Sequence, residues 1–346
     1  MNTVKVKTKA VFPGQEGVSI IELLVAAAIS MILAAGIFQV FVGSTASYSF
    51  NEDLSRQQEN ARFAMHVLRR EVQAAGYLGC LQDPGTLVNT LPDSGDFAFD
   101  FDNAVYGLEA GDNNWQDVGG PVDPTATGTA NLGVSSPAAR SDILVIRGVN
   151  PGVTIEVLGF TPGQLAMPPG QITILGGAGK ILLVGDCKAA AVFQTTGYDN
   201  GSGTATYTGN LGHTFGAGAQ VFEPRTVVFY VRNQGGRFSL YWKVGQDAVE
   251  EIVEGVENMQ VRYGVDTDND RAADSYLAAN AVTNWSNVVS VRVYLLVRSV
   301  DEILRGEVDT TSYDVDGDGT TDYGPPNDRR MRMVFSSTMG LRNRLR

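Results

Sequence analysis

Hydrophobic and polar positions fall into three regimes along the chain. From position 18 to 42 the sequence reads VSIIELLVAAAISMILAAGIFQVFV, and Glu22 is its only charge. About 20 apolar residues suffice to cross a bilayer as a helix, so this run predicts a membrane span. The pattern then becomes amphipathic. Leu54, Ala61, Ala64, Leu68, Val72 and Ala75 share one helical face. Asn51, Glu52, Arg56, Glu59, Arg62, Arg69, Arg70 and Glu71 lie on the other. Gly76 and Gly79 end the helix. One helix over 18–75 would be about 87 Å long. Gly36 and Gly43 either weaken it locally or allow close helix packing in the bilayer.

Beyond Cys80 the helical period is lost. Residues 81–140 are rich in Gly, Pro, Asp, Asn and Thr and predict loops around at most one short element. Strands are predicted at 143–147, 154–158, 181–184, 191–194, 221–223, 226–232 and 238–243, then at 259–263, 288–298 and 331–335. The clearest has Val289, Val291, Val293, Leu295 and Val297 alternating with Ser290, Arg292, Tyr294, Leu296 and Arg298. Asn233-Gln234-Gly235-Gly236 between two strand runs is a hairpin signal. Such a sheet face needs cover, and the amphipathic half of the helix is the natural candidate.

Composition and charge narrow the class. The chain has 346 residues, 43% hydrophobic and 18% charged, with 40 Gly. That suits a large, β-leaning, loop-rich body rather than a helical bundle. The net charge is −12, although residues 1–17 carry Lys5, Lys7 and Lys9 against Glu16. An acidic body argues against nucleic acid as a partner, since phosphate contacts need clustered Lys and Arg. The basic start before the apolar run predicts a cytoplasmic amino terminus. No acid follows Asp328, while Arg329, Arg330, Arg332, Arg342, Arg344 and Arg346 do. That cluster is either a solvated strand edge or a docking face for an acidic neighbour. Cys80 and Cys187 have no zinc-site spacing; they are either one bridge or two buried thiols.

Glu22 is the anomaly. A carboxylate inside an apolar helix costs about 2.5–3.5 kcal/mol on insertion scales and calls for a partner. No Lys or Arg lies within two helical turns of it. A cut after Gly17 would create an amine on Val18, one turn from Glu22, able to pair within the chain or with a neighbour.

These residues carry a resemblance. Gly17-Val18-Ser19-Ile20-Ile21-Glu22 resembles the signal of type IV prepilins, G-F-[ST]-L-[IL]-E, with Val18 in the place of the usual Phe or Met. Gln58-Glu59-Asn60-Ala61-Arg62-Phe63-Ala64, Ala75-Gly76-Tyr77-Leu78-Gly79-Cys80, Asp186-Cys187 and Leu341-Arg342-Asn343 look similar to segments of PilW-type minor pilins. The resemblance implies an α+β pilin-like fold, a long N-terminal helix packed on an antiparallel β-sheet head with long loops. It implies a leader at 1–17, a stalk at 18–79 with a membrane span at 18–42, and an extracytoplasmic head at 80–346. It implies cleavage by a prepilin peptidase after Gly17, methylation of Val18, an assembly role for Glu22, and pairing of Cys80 with Cys187. Partners would be other minor and major pilins and the inner-membrane assembly machinery. The chain would sit in the bacterial inner membrane with its head periplasmic and then enter the pilus. A J-type pseudopilin of type II secretion shares the stalk and the Arg-Asn ending, and a tip adhesin is a third reading.

Two acidic runs raise the question of a metal. Asp266, Asp268, Asp270 and Asp274 stand at relative positions 1, 3, 5 and 9, as do Asp314, Asp316, Asp318 and Asp322. A Ca²⁺ loop uses those positions, with Gly at 6 and an acid at 12. Position 6 is Gly319 in the second run and Arg271 in the first, and position 12 is Pro325 or Leu277. No complete EF-hand exists, but a Ca²⁺ on the second run is expected, and more weakly on the first. No other cofactor is called for. His66 and His213 read as exposed bystanders, and Trp115, Trp242 and Trp285 as core or hairpin residues. Gly176-Gly177-Ala178-Gly179-Lys180 lacks the spacing and the Ser or Thr of a phosphate loop. No nucleophile elbow or zinc-protease motif occurs, so a non-enzymatic role is expected over a membrane-anchored enzyme.

Overall fold

The computed structural model describes residues 17–81, 86–128, 130–171, 177–304, 306 and 308–343. Lys5, Lys7, Lys9 and Glu16 of the leader, Gly176, Arg344 and Arg346 lie outside them. The chain forms two compact units, Met1–Glu52 and Asp53–Arg346.

In the first unit, α1 (Ile20–Ala74) begins at Ser19. The Ile21 N–H donates to the Ser19 hydroxyl at 3.3 Å, and the Leu23 N–H to the Ser19 carbonyl at 3.1 Å. The Ser19 hydroxyl thereby serves one of the donors that a helix start leaves unpaired, and its carbonyl accepts the first intrahelical bond. The large apolar side chains between positions 20 and 41 are all exposed. α1 runs unbroken through Gly36 and Gly43, whose flanks meet nothing within 4 Å. This part of α1 is long and apolar enough to cross a membrane.

The second unit opens with the remainder of α1. Four strands follow in the segment expected to be loops, β1 (Leu87–Asn89), β2 (Val105–Ala110), β3 (Trp115–Asp117) and β4 (Gly120–Val122). Strands of three to six residues have too little periodicity to be read locally; β1 exists because β9 offers it a partner and β2 because β5 does, while β3 adds to β2 and β4 to β3. Then come β5 (Ile143–Glu156), β6 (Gly159–Thr161), β7 (Gln164–Ala166), β8 (Ile181–Gly185), β9 (Ala190–Asp199) and β10 (Thr204–Tyr207). The two strands expected at 143–147 and 154–158 are thus one. The last group is β11 (Gln220–Gln234), β12 (Arg237–Val244), β13 (Glu250–Glu254), β14 (Val256–Val265), β15 (Ser275–Leu277), β16 (Val288–Arg298) and β17 (Arg332–Gly340).

One sheet of thirteen strands runs β4-β3-β2-β5-β11-β8-β9-β10-β7-β6, with β1 on β9 and β12 and β13 branching from β11. β11 can branch because β8 pairs with its residues 220–222 and β12 with its residues 227–234, and its register with β5 shifts between Phe222 and Pro224. Pro224 has no N–H to give a ladder, so it belongs at such an irregularity. Gly235 and Gly236 turn the β11–β12 hairpin, both at positive φ, as a two-residue turn of this hand requires. A second sheet, β15-β14-β16-β17, is wholly antiparallel.

Residues Asp53 to Ala74 of α1 cover that second sheet. Ala61, Ala64, Leu68 and Val72 are fully buried in one core with Val261, Val291, Val293, Leu295 and Val297. Each such side chain gains roughly 1.5–3 kcal/mol on burial if it is as large as Val or Leu. At the helix end the Gly76 N–H donates to the Arg147 carbonyl at 2.9 Å. Gly76 has φ +66°, and a Cβ there would lie 2.9 Å from the Ala104 Cβ, so glycine is required both by conformation and by space.

Asp142 ties the two sheets together. Its buried carboxylate accepts the N–H of Ala110 at 2.9 Å and of Val261 at 2.8 Å. Burial, then the nearby Glu109, push this carboxyl well above the usual range.

Candidate assembly and ion-binding sites

Gly17, Val18 and Ser19 form an exposed, non-helical lead into α1. Glu22 follows in the first helical turn, exposed. Among the described residues no ion pair of Glu22 is formed. Its carboxylate does sit at the positive end of the helix dipole.

Farther along, the polar side of α1 divides in a way the periodicity did not anticipate. Glu71 was expected on the solvent face but is buried, with its carboxylate paired to the Arg225 guanidinium and to Arg70 at 2.9 Å. Gln57 is likewise buried, its amide donating to the Val297 carbonyl at 2.5 Å and to that of Met331 at 3.3 Å. Asn60 donates to the Glu254 carbonyl at 3.2 Å. These polar anchors fix the height and rotation of the helix on the sheet, which the smooth apolar stripe alone would not. What remains outward includes Arg56, Glu59, Arg62, Phe63, His66, Arg69 and Arg70, with Phe63 51% exposed.

The C-terminal arginines do not act as one group. Arg332 is fully buried: its guanidinium bonds Glu257 at 2.6 and 3.0 Å, Asp328 at 2.8 and 2.7 Å, and Asp309 at 3.2 Å. It is neither a solvated edge nor a docking charge. Arg329 and Arg342 are exposed.

Cys80 and Cys187 are joined by a disulfide, with Cα atoms 4.7 Å apart. The bridge ties the chain just beyond α1 to the β8–β9 turn. Beside it His213, expected to be a bystander, bonds the Asp186 carboxylate at 2.9 Å and packs edge-on to Phe215. Burial alone would raise the Asp186 carboxyl, but the Lys188 and Ala189 N–H groups and the His213 ring hold it below its usual value.

The two acidic loops share one backbone design. In each, residues 4 and 6 take left-handed conformations: Asn269 and Arg271 in the first, Gly317 and Gly319 in the second. Position 1 collects main-chain N–H groups, Asp266 from Asn269 and Arg271, Asp314 from Gly317, Asp318 and Gly319. Position 9 accepts from position 2, Asp274 from Thr267 and Asp322 from Val315, both at 2.7 Å. Carboxylate oxygens of Asp266, Asp268 and Asp274, and of Asp314, Asp316 and Asp322, gather within 4.8 Å. The fourth members of the expected sets are not gathered. Asp270 stands apart, and Asp318 turns to Arg262 at 2.6 Å. Arg262 also pairs with Asp316 and lies 3.7 Å from Glu109. Burial first, then Asp316, Asp318 and Asp314, raise the Asp322 carboxyl to about 6. Three convergent oxygens could hold a hard cation such as Ca²⁺, although Arg262 already neutralises part of the second loop.

Trp115 and Trp285 are buried, Trp115 donating to the Ser141 carbonyl at 3.0 Å. Lys180 is committed to Glu223 at 2.5 Å. A cavity of about 330 Å³ lies nearby, lined by Phe99, Phe101, Glu223 and Arg225 among others. Both of these charges are held, Glu223 by Lys180 and Asn150 and Arg225 by Glu71.

Comparison with known proteins bears on the two ends of this architecture. Residues 13–38 match the prokaryotic N-terminal methylation motif, and residues 228–343 match the PilW family, type IV pilus-assembly protein W. At these two stretches the chain is similar to type IV pilins of the PilW kind. The PilW match runs from within β11 through β17 and therefore includes the sheet under α1 and both acidic loops. A solved type IV-like pilin from Thermus thermophilus is similar at 14% identity over 84% of this chain and 99% of that one, with a TM-score of 0.34. No curated protein matches this chain.

Proposed function

We propose that the chain is a minor pilin that takes part in assembling and priming a type IV pilus. The observation that carries the reading is Glu22. A single carboxylate in an exposed apolar helix, without an ion-pair partner among the described residues, calls for a charge from elsewhere. Cleavage after Gly17 supplies it as the Val18 amine, and pairing with a neighbouring subunit's Glu22 sets the register of packed stalks. The role is structural: 1–17 is the leader, 18–79 the stalk with 18–42 in the inner membrane, and the periplasmic head at 80–346 is carried to the cell surface. Its partners are the prepilin peptidase, other minor and major pilins, and the inner-membrane assembly machinery. Ca²⁺ bound by Asp314, Asp316 and Asp322 belongs to the same reading, as a structural ion of the head.

The test is a deletion strain complemented with wild type, Glu22→Gln or Glu22→Ala, with pili counted by electron microscopy and processing followed by intact mass. Deletion should abolish or sharply reduce piliation. Wild type should restore it, cut after Gly17 and methylated, while both variants are cut, stay in the membrane and fail to restore. Normal piliation in the deletion strain, with loss of protein secretion, would favour the pseudopilin reading and sink this one.

A further inference from the structure

The four-stranded sheet has two edges that differ in chemistry. β17 pairs with β16 over nine residues and with no other described strand. Every second residue of an antiparallel edge strand turns its N–H and C=O outward. Exposed edges recruit further strands, and native sheets guard them with charges, Pro, bulges or shortness. β17 has none of these guards after Arg332. Residues 333–340 read MVFSSTMG, and the pairing with β16 has no register shift. Val334 is 42% exposed, and Ser336 and Thr338 are exposed too. The charge sits around the strand instead. Arg69 reaches the Ser337 hydroxyl at 2.6 Å, exposed Arg329 precedes the strand and exposed Arg342 follows it. No acid occurs from 329 to 343.

The opposite edge is β15, preceded by the acidic loop with Asp268, Asp270 and Asp274 exposed. β15 also pairs on one side only among the described strands. We propose that β15 of a second copy adds to β17, continuing the sheet from one subunit into the next. Strand direction permits it. The sheet has four strands that alternate in direction, so translating a copy sideways sets its β15 antiparallel to β17. Charge selects it over the symmetric alternatives, because β17 on β17 would oppose arginine to arginine and β15 on β15 aspartate to aspartate. The remaining acidic edge, β13, is a poorer donor, since Asn60 of α1 already binds the Glu254 carbonyl. A contact between unlike edges leaves one of each open, so it can propagate along an axis. This inference concerns only edges of the Asp53–Arg346 unit and does not depend on the pilus reading.

The test uses full-length protein in detergent. Ser336→Cys and Ser275→Cys change exposed edge positions, and the two native cysteines are already joined to each other. Mild oxidation of the two variants mixed should give a disulfide-linked dimer, several-fold more than either variant alone. Adding Asp268→Lys and Asp270→Lys should lower the yield about tenfold, and raising salt should lower it too. Sedimentation of the otherwise unaltered chain should show the same charge-dependent association. A monomer at all concentrations, equal linkage in Ser336→Cys alone, or indifference to the lysine substitutions would overturn the proposal.

Discussion

Replacing Arg332 with Leu should be among the most damaging single changes in the head. The guanidinium and the Glu257 carboxylate are both fully buried, and Asp309 and Asp328 complete the network. Loss of the arginine strands three carboxylates, with Arg298 left to face Glu257 at 3.1 Å. Removing one partner of a buried pair costs about 3–5 kcal/mol. For a unit of this size that corresponds to a melting temperature lower by at least about 6 °C. Circular dichroism of the full chain in detergent, heated at pH 7, measures it. Arg332→Lys should fall between, because an ammonium keeps the charge but lacks the planar fork that engages several carboxylates at once. The pH dependence supplies a second reading. The Arg332 hydrogen bonds hold the Asp328 carboxyl low; at Asp309, burial would raise it, but Tyr313, Thr311 and Arg332 outweigh that. A depressed folded value gives stability that is present above the unfolded value and is lost as pH falls through the folded one. The gap between wild type and Arg332→Leu should therefore narrow below about pH 4. A shift under about 2 °C at pH 7, or a gap indifferent to acid, would refute the claim that this network holds β17 and the preceding loop in place.

Three further outcomes are expected. Asp322→Asn keeps the acceptor for the Val315 N–H and removes a carboxyl that titrates near 6. Such a raised value weakens the fold as pH climbs from the unfolded value to 6, so without divalent ions the variant should gain about 1 kcal/mol at pH 7, after allowance for its partial exposure, and nothing at pH 4. With millimolar Ca²⁺ the order should reverse, and calorimetry without heat for wild type would dismiss the ion. Replacing Cys80 and Cys187 together with Ser opens a link between residues 107 apart and should cost about 2–4 kcal/mol in urea unfolding; an unchanged midpoint would contradict that. Gly76→Ala forces a left-handed residue against Ala104 and should cost about 2 kcal/mol, whereas Gly36→Ala, with open space around it, should leave the melting curve unmoved.

The elements legible in the sequence are those whose cause is local. The apolar run around Glu22, the helix stop at Gly76, the Gly235-Gly236 hairpin and the alternation along β16 all follow from neighbours within a few positions. So does the left-handed trace at Gly317 and Gly319. What the sequence could not show is which polar residues the fold would bury. Glu71 looks like any solvent-facing acid until Arg225, 154 residues away, is set beside it. Arg332 looks like one of a basic cluster until Glu257, 75 residues away, closes on it. The strands at 105–122 were unreadable for the same reason, since such short segments become strands only when the fold supplies the ladder, β5 for β2, then β2 for β3 and β3 for β4. Asp318 was drawn away from its acidic neighbours by Arg262, 56 residues distant. Local propensity therefore determined the stalk, the turns and the strongest strands. The tertiary structure decided the pairing of charges, because a buried charge is stabilised only by a partner that the fold, and not the chain, brings near.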